Sequence, residues 1–92
     1  MSAMFEYIYV WDRKNDRCVS AWYVKPQWAA DDEAPANTKG PIPETDMDRR
    51  VKALLLKYPE PRYLVDGGES EEPDGIKAAG QLYEQASRDE EE

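Results

Sequence analysis

Carboxylates are the only side chains in this sequence whose number and spacing could support acid–base or metal chemistry. They cluster within residues 31–33, 46–48 and 69–72. Paired carboxylates can cleave glycosidic bonds or hold a metal ion. None of these groups follows the ligand spacing of a calcium-binding loop, and acids in such positions usually cap helices or face water. We therefore expect neither a metal site nor another cofactor.

Other catalytic residue types are scarce. The chain has no histidine and a single cysteine, Cys18, which removes the usual Ser–His and Cys–His pairs and most zinc and iron sites. Residues 66–72, DGGESEE, lack the lysine and the spacing of a phosphate-binding loop. The sequence predicts a protein that is not an enzyme. Because one cysteine cannot form an internal disulfide, it also suits the reducing cytoplasm, where we expect the protein to be.

The negative charge is concentrated at the end of the chain. Residues 1–65 hold ten acids and ten bases, whereas residues 66–92 hold ten acids and two bases, so the last segment carries the whole net charge of −8. An acidic surface repels nucleic acid and anionic membranes and attracts basic protein surfaces. No apolar run reaches the roughly 20 residues of a membrane helix. We therefore expect one protein partner with a basic surface, no nucleic acid and no membrane.

The first strand that the sequence predicts, residues 5–12, has two different faces. Its aromatic face consists of Phe5, Tyr7, Tyr9 and Trp11, and its aliphatic face of Met4, Ile8 and Val10 with Glu6 as the exception. Tyrosine and tryptophan tolerate half-wet positions and offer a large contact area. We therefore expect the aromatic face to be partly exposed and open to a partner. The alternative is that the aromatic rings fill the core, while the long loop and a C-terminal helix cover the other face.

Further elements follow this strand. Residues 17–24 predict the second strand of an antiparallel hairpin, with a helix as the alternative. The segment after Pro43 predicts an amphipathic helix with Thr45 as its N-cap, Asp48 completing a capping box and Pro59 ending it. Its apolar stripe comprises Met47, Val51, Leu54, Leu55 and Tyr58. Residues 62–65 predict a short third strand.

These elements define the α+β class, with a hairpin or three-stranded sheet packed by one amphipathic helix. We expect residues 1–65 to form the small domain. Residues 66–92 would then be an acidic loop, 66–75, and a weak C-terminal helix capped by Asp74 rather than an independent domain. Gly80 and the acids at 89–92 disfavour that helix, so it should fray or depend on docking.

The candidate partner-binding residues combine rings and acids. They are Tyr7, Tyr9, Trp11, Trp28, Glu69, Glu71, Glu72 and Asp74. Trp28 lies in the proline-rich stretch 25–43, where it either covers the edge of the core or anchors a partner.

The stretches FEYIYVWD near the start and VKALLLKYPEP at 51–61 resemble small bacterial immunity proteins encoded beside polymorphic or type VI secreted toxins. This resemblance implies a cognate toxin as the partner and transfers no site residue. The leading interpretation is therefore a small acidic inhibitor that binds and neutralises one protein. A phage-encoded inhibitor of a host defence complex, of the anti-CRISPR type and acting as a nucleic-acid mimic, is one alternative. A structural homo-oligomer is the other, so a homodimer stays open.

Overall fold

The structure is a computed structural model that describes residues 4–26 and 34–90, with side chains up to Arg88. Its elements are β1 (Phe5–Asp12), β2 (Arg17–Lys25), β3 (Pro41–Pro43), α1 (Met47–Lys57), β4 (Tyr63–Ser70) and α2 (Gly75–Glu90). They form a four-stranded mixed sheet with two helices, which confirms the predicted α+β class. No helix within the described ranges is both long and apolar enough to cross a membrane.

The sheet has the strand order β3-β2-β1-β4. β1 pairs antiparallel with β2 and with β4, and β3 runs parallel to β2. Residues 17–24 are therefore a strand, as the hairpin prediction required. The connecting turn ends at Asp16, whose φ of 54° lies in the left-handed region that aspartate tolerates better than most residues.

Helix α1 covers the aliphatic face of the sheet. The buried residues on this side are Ile8, Val10, Trp22, Val24, Ile42 and Leu54. The predicted N-cap at Thr45 is wrong, because a 3₁₀ turn, Glu44–Asp46, precedes α1 and its backbone carbonyl at Glu44 accepts the N–H of Met47. Asp46 occupies the N-cap position and makes no side-chain cap bond. Leu55, which the predicted stripe included, is 42% exposed.

Helix α2 covers the aromatic face, so the expectation that this face is open to a partner is wrong for Tyr7 and Tyr9, while Phe5 and Trp11 at its ends are half-buried. Tyr7 and Tyr9 are 0% exposed and pack against Ala78 and Ala79. The small alanines let the helix backbone approach the large rings closely. On neighbouring β4, the absence of a side chain at Gly68 leaves room for the Leu82 side chain, because a Cβ there would lie 2.8 Å from its Cδ2 atom. The sheet is thus the middle layer between two helices.

Strand β4 is longer than predicted and replaces much of the expected acidic loop. It continues through residues 66–70, so it crosses the boundary expected between 1–65 and 66–92. Glycine and aspartate are poor strand formers, which explains the wrong prediction. Tertiary pairing overrides that preference, since Gly67 and Gly68 lie opposite Ile8 and Tyr7 of β1.

The N-terminus of α2 is capped as predicted. One carboxylate oxygen of Asp74 accepts the N–H groups of Ile76 at 3.0 Å and Lys77 at 3.2 Å. The Asn37 side-chain amide donates to the other oxygen at 2.6 Å. The bond from the Lys77 N–H, aided by Asn37, outweighs desolvation and lowers the pKa of Asp74. The helix is therefore tied to the segment before β3 as well as to the sheet.

Candidate functional site

Two of the predicted contact residues, Tyr7 and Tyr9, are structural. The Tyr7 hydroxyl donates to the backbone carbonyl of Glu72, and burial, with the nearby Glu72 and Asp74 carboxylates, raises the pKa of Tyr7 to about 12. Burial also raises the pKa of Tyr9, whose hydroxyl has no hydrogen-bond partner among the described residues. Both rings hold α2 on the sheet and lie beneath the surface.

Trp11 is half-buried and stacks on Tyr83 of α2, with ring centroids 4.3 Å apart and planes at 10°. An open groove of about 690 Å³ runs beside this pair and contains Lys77, Glu84 and Arg88. Because both positive and negative side chains line this groove, it does not favour a ligand of either charge. Trp28, the remaining predicted aromatic contact, lies outside the described residues.

The predicted acidic residues divide into capping and exposed groups. Asp74 caps α2, and a carboxylate oxygen of Glu72 accepts the Asp74 N–H at 3.3 Å. Glu69, on β4, and Glu71, just after it, are exposed. Among the predicted site residues that the structure describes, Glu69 and Glu71 are therefore the exposed ones.

Glu69 lies directly opposite Glu6 of β1. Both side chains are exposed and lie on the α1 side of the sheet, because side chains alternate along each strand. Like charges at directly opposite positions destabilise an antiparallel pair. The sequence-based prediction of the site did not include Glu6. Its charge stands out among the apolar residues Met4, Ile8 and Val10 on the same face of the strand, and this contrast was the one feature of the sequence that pointed to it. Only the strand register could show that it faces Glu69.

A cleft of about 390 Å³ lies beside this pair, between α1 and β4. Its apolar lining comes from Ile8, Met47, Val51 and Val65, and Glu6 supplies a carboxylate. Neither β1 nor β4 contains a lysine or arginine. An apolar cleft with carboxylates at its rim suits a lysine or arginine side chain, whose aliphatic part packs while its charged end meets the acids.

Of the three carboxylate groups in the sequence, the one at 46–48 lies within the described ranges at the start of α1. Asp46 pairs with Arg49 at 3.0 Å on the exposed side of α1, and residues 31–33 lie outside the described ranges. Within those ranges, no three His, Cys, Asp or Glu side chains converge on a position for a metal ion.

No protein-family model, curated protein or solved structure matches this chain. The cleft and its acidic rim are therefore the structural features that indicate a function.

Proposed function

We propose that this protein is an inhibitor that binds and neutralises one basic partner protein, as an immunity protein neutralises a toxin. The observation that carries the proposal is the Glu6–Glu69 pair beside the apolar cleft. Two carboxylates held opposite each other weaken the sheet when the protein is free. A basic side chain from a partner would offset that repulsion and bury its aliphatic part in the cleft.

Binding without catalysis is part of the proposal. The acidic surface would speed encounter with a basic target, and contacts in the cleft would slow dissociation. The free Cys18 is consistent with action in the cytoplasm, where thiols stay reduced. Burial raises the pKa of this thiol, which disfavours the reactive thiolate.

A charge-reversal experiment tests the proposal. The tagged protein is purified from its native host, and stoichiometric partners are identified by mass spectrometry. The double variant Glu6→Lys/Glu69→Lys should lose the partner that the wild type retains. The matched control is Glu44→Lys/Glu84→Lys, which makes the same charge change at two other exposed positions and should retain the partner. Recovery of no stoichiometric partner with the wild type would contradict the proposal.

A stability measurement separates a binding role from a structural role for this pair. Glu6→Gln removes the repulsion, so the free variant should be more stable by about 0.2–1 kcal/mol in denaturant unfolding. The same variant should bind the partner more weakly. Loss of stability together with loss of binding would instead mean that Glu6 supports the fold.

A further inference from the structure

The two edges of the sheet differ in their ability to accept another strand. β3 forms one edge, spans three residues and has a proline at each end. Because proline has no N–H, this edge is poorly suited to pairing. β4 forms the other edge, spans eight residues without proline, and has no strand beyond it in the described part of the chain.

The hydrogen bonds show which β4 residues face outward. The Arg13 N–H donates to the carbonyl of Arg62 at 2.9 Å, and the strand register continues this pairing along β4. Even-numbered β4 residues therefore direct their backbone groups toward β1, and odd-numbered residues direct theirs outward. Consistent with this, the Gly67 N–H points away from β1 and donates a hydrogen bond to the adjacent Asp66 carboxylate at 2.8 Å. Val65, Gly67 and Glu69 thus form an outward-facing row.

The acids on both sides of this edge determine which strand can pair with it. Glu6 and Glu69 lie on the α1 side, and Asp66 lies on the α2 side, opposite Tyr9. Pairing with β4 of a second copy would bring acids of the two copies together, in a chain with a net charge of −8. A segment carrying lysine or arginine at alternate positions would instead place its positive charges on one side of the sheet, near Glu69 and Glu6 on the α1 side.

We infer that the β4 edge accepts an extended basic segment of the partner protein as a fifth strand of the sheet. Backbone bonds to Val65, Gly67 and Glu69 would hold the segment, and the bond to the Gly67 N–H would replace the one that it makes to the Asp66 carboxylate. One of the segment's basic side chains would enter the cleft beside Gly67. Strand addition of this kind obtains affinity from the backbone and specificity from the pockets for alternate side chains. The inference depends on the proposed function, because it describes how the basic partner is held.

Two substitutions of one residue separate strand addition from charge attraction. Glu69→Ala and Glu69→Pro both remove the carboxylate, but only the second removes the outward N–H. An edge position with an outward N–H tolerates proline, and circular dichroism melting checks that both variants fold. The probe is a soluble peptide of alternating Lys and Val residues, and a peptide of alternating Glu and Val is its control.

Binding is measured by NMR titration and amide hydrogen exchange. We expect the Lys–Val peptide to bind at least about tenfold more tightly than the Glu–Val peptide and to protect the amides of Val65 and Gly67. Glu69→Pro should bind it about tenfold more weakly than Glu69→Ala. Equal binding to both variants would overturn strand addition and leave the proposed function intact. Charge-independent binding, no binding, or dimerisation through β4 would also overturn the inference. Failure to recover a partner from the host would contradict the proposed function itself.

Discussion

At the scale of single residues, the two buried tyrosines of β1 have opposite hydrogen-bonding states. The Tyr7 hydroxyl donates to the Glu72 carbonyl, whereas the Tyr9 hydroxyl has no partner among the described residues. Removing a hydroxyl that donates in the core leaves its acceptor unpaired, but removing an unpaired buried hydroxyl relieves a desolvation cost. The two side chains lie on the same face of the same strand, so removal of either hydroxyl can be compared directly with removal of the other.

We expect Tyr7→Phe to lower the free energy of unfolding by about 1 kcal/mol. Tyr9→Phe should leave it unchanged or raise it by up to about 1 kcal/mol. Urea unfolding of both variants measures the difference. An equal loss in both would show that the Tyr9 hydroxyl has a hydrogen bond in solution.

Asp12 makes the stability of the hairpin turn depend on pH. Burial by itself raises the pKa of this carboxyl. The carboxylate accepts hydrogen bonds from the side chains of Asn15 and Arg62 and from the backbone N–H groups of Asn15 and Lys14. These bonds outweigh burial and lower the pKa from 3.8 to about 2. A lowered folded-state pKa means that the ionised group stabilises the fold above the unfolded pKa. That contribution is lost as the pH falls from 3.8 towards about 2.

We expect Asp12→Asn to be less stable than the wild type at neutral pH and to lose less stability over this acid range. Chemical unfolding at several pH values measures both effects. Asp16→Asn is the control, because Asp16 is an exposed acid in the same turn, and it should keep the wild-type pH dependence. If Asp12→Asn matched that control throughout, the hydrogen bonds of Asp12 would not stabilise the fold.

At the scale of elements, α2 is part of the core. Alone it is a weak helix, because Gly80 lies in its interior and acids cluster near its C-terminus. Its stability in the protein comes from the capping bonds of Asp74 and from the contact of Ala78, Ala79 and Leu82 with the tyrosine face. Docking therefore compensates for low intrinsic helix propensity, as is usual for helices in globular proteins.

Substitution of two leucines on different helices tests whether α2 is firmly packed into the core. Leu82 of α2 is 9% exposed and belongs to the core, whereas Leu56 of α1 is 86% exposed. We expect Leu82→Ala to lower the free energy of unfolding by about 2–4 kcal/mol, because it leaves a cavity over β1. Leu56→Ala should change it by less than about 0.5 kcal/mol. A small effect of Leu82→Ala in thermal melts would mean that α2 is loosely attached.

At the scale of the whole molecule, bases and acids are concentrated on different elements. The exposed charges of α1 are four bases, Arg49, Arg50, Lys52 and Lys57, and one acid, Asp48, whereas the charged residues of β4 are acids. The C-terminal residues 89–92 add four more acids in sequence. A molecule with this distribution would be oriented as it approaches a basic partner, in a way that depends on salt concentration.

Deletion of residues 88–92 should therefore slow association and weaken its salt dependence, while the melting temperature changes little. Stopped-flow mixing with the recovered partner at several salt concentrations measures the rate. Restoring the tail with Gln in place of its acids controls for length and should not restore the rate. A large fall in melting temperature on deletion would show that the segment stabilises the fold.

The sequence alone predicted several local features of this protein, although not the start of α1. Alternation in residues 5–12 and the stripe around Val51 and Leu54 indicated a strand and an amphipathic helix, because these patterns reflect backbone periodicity. The cap at Asp74 was also predictable, since it depends on neighbours within three residues. The α+β class followed from these elements.

The tertiary structure alone decided which faces are buried and which acids meet. The fate of Tyr7 and Tyr9 depended on whether α2 docks, and the extension of β4 through Gly67 depended on pairing with β1. Glu6 and Glu69 are 63 positions apart in sequence, so only the strand register brings them together. Such long-range contacts leave little trace in local propensity, because their free energy comes from burial and pairing between distant segments.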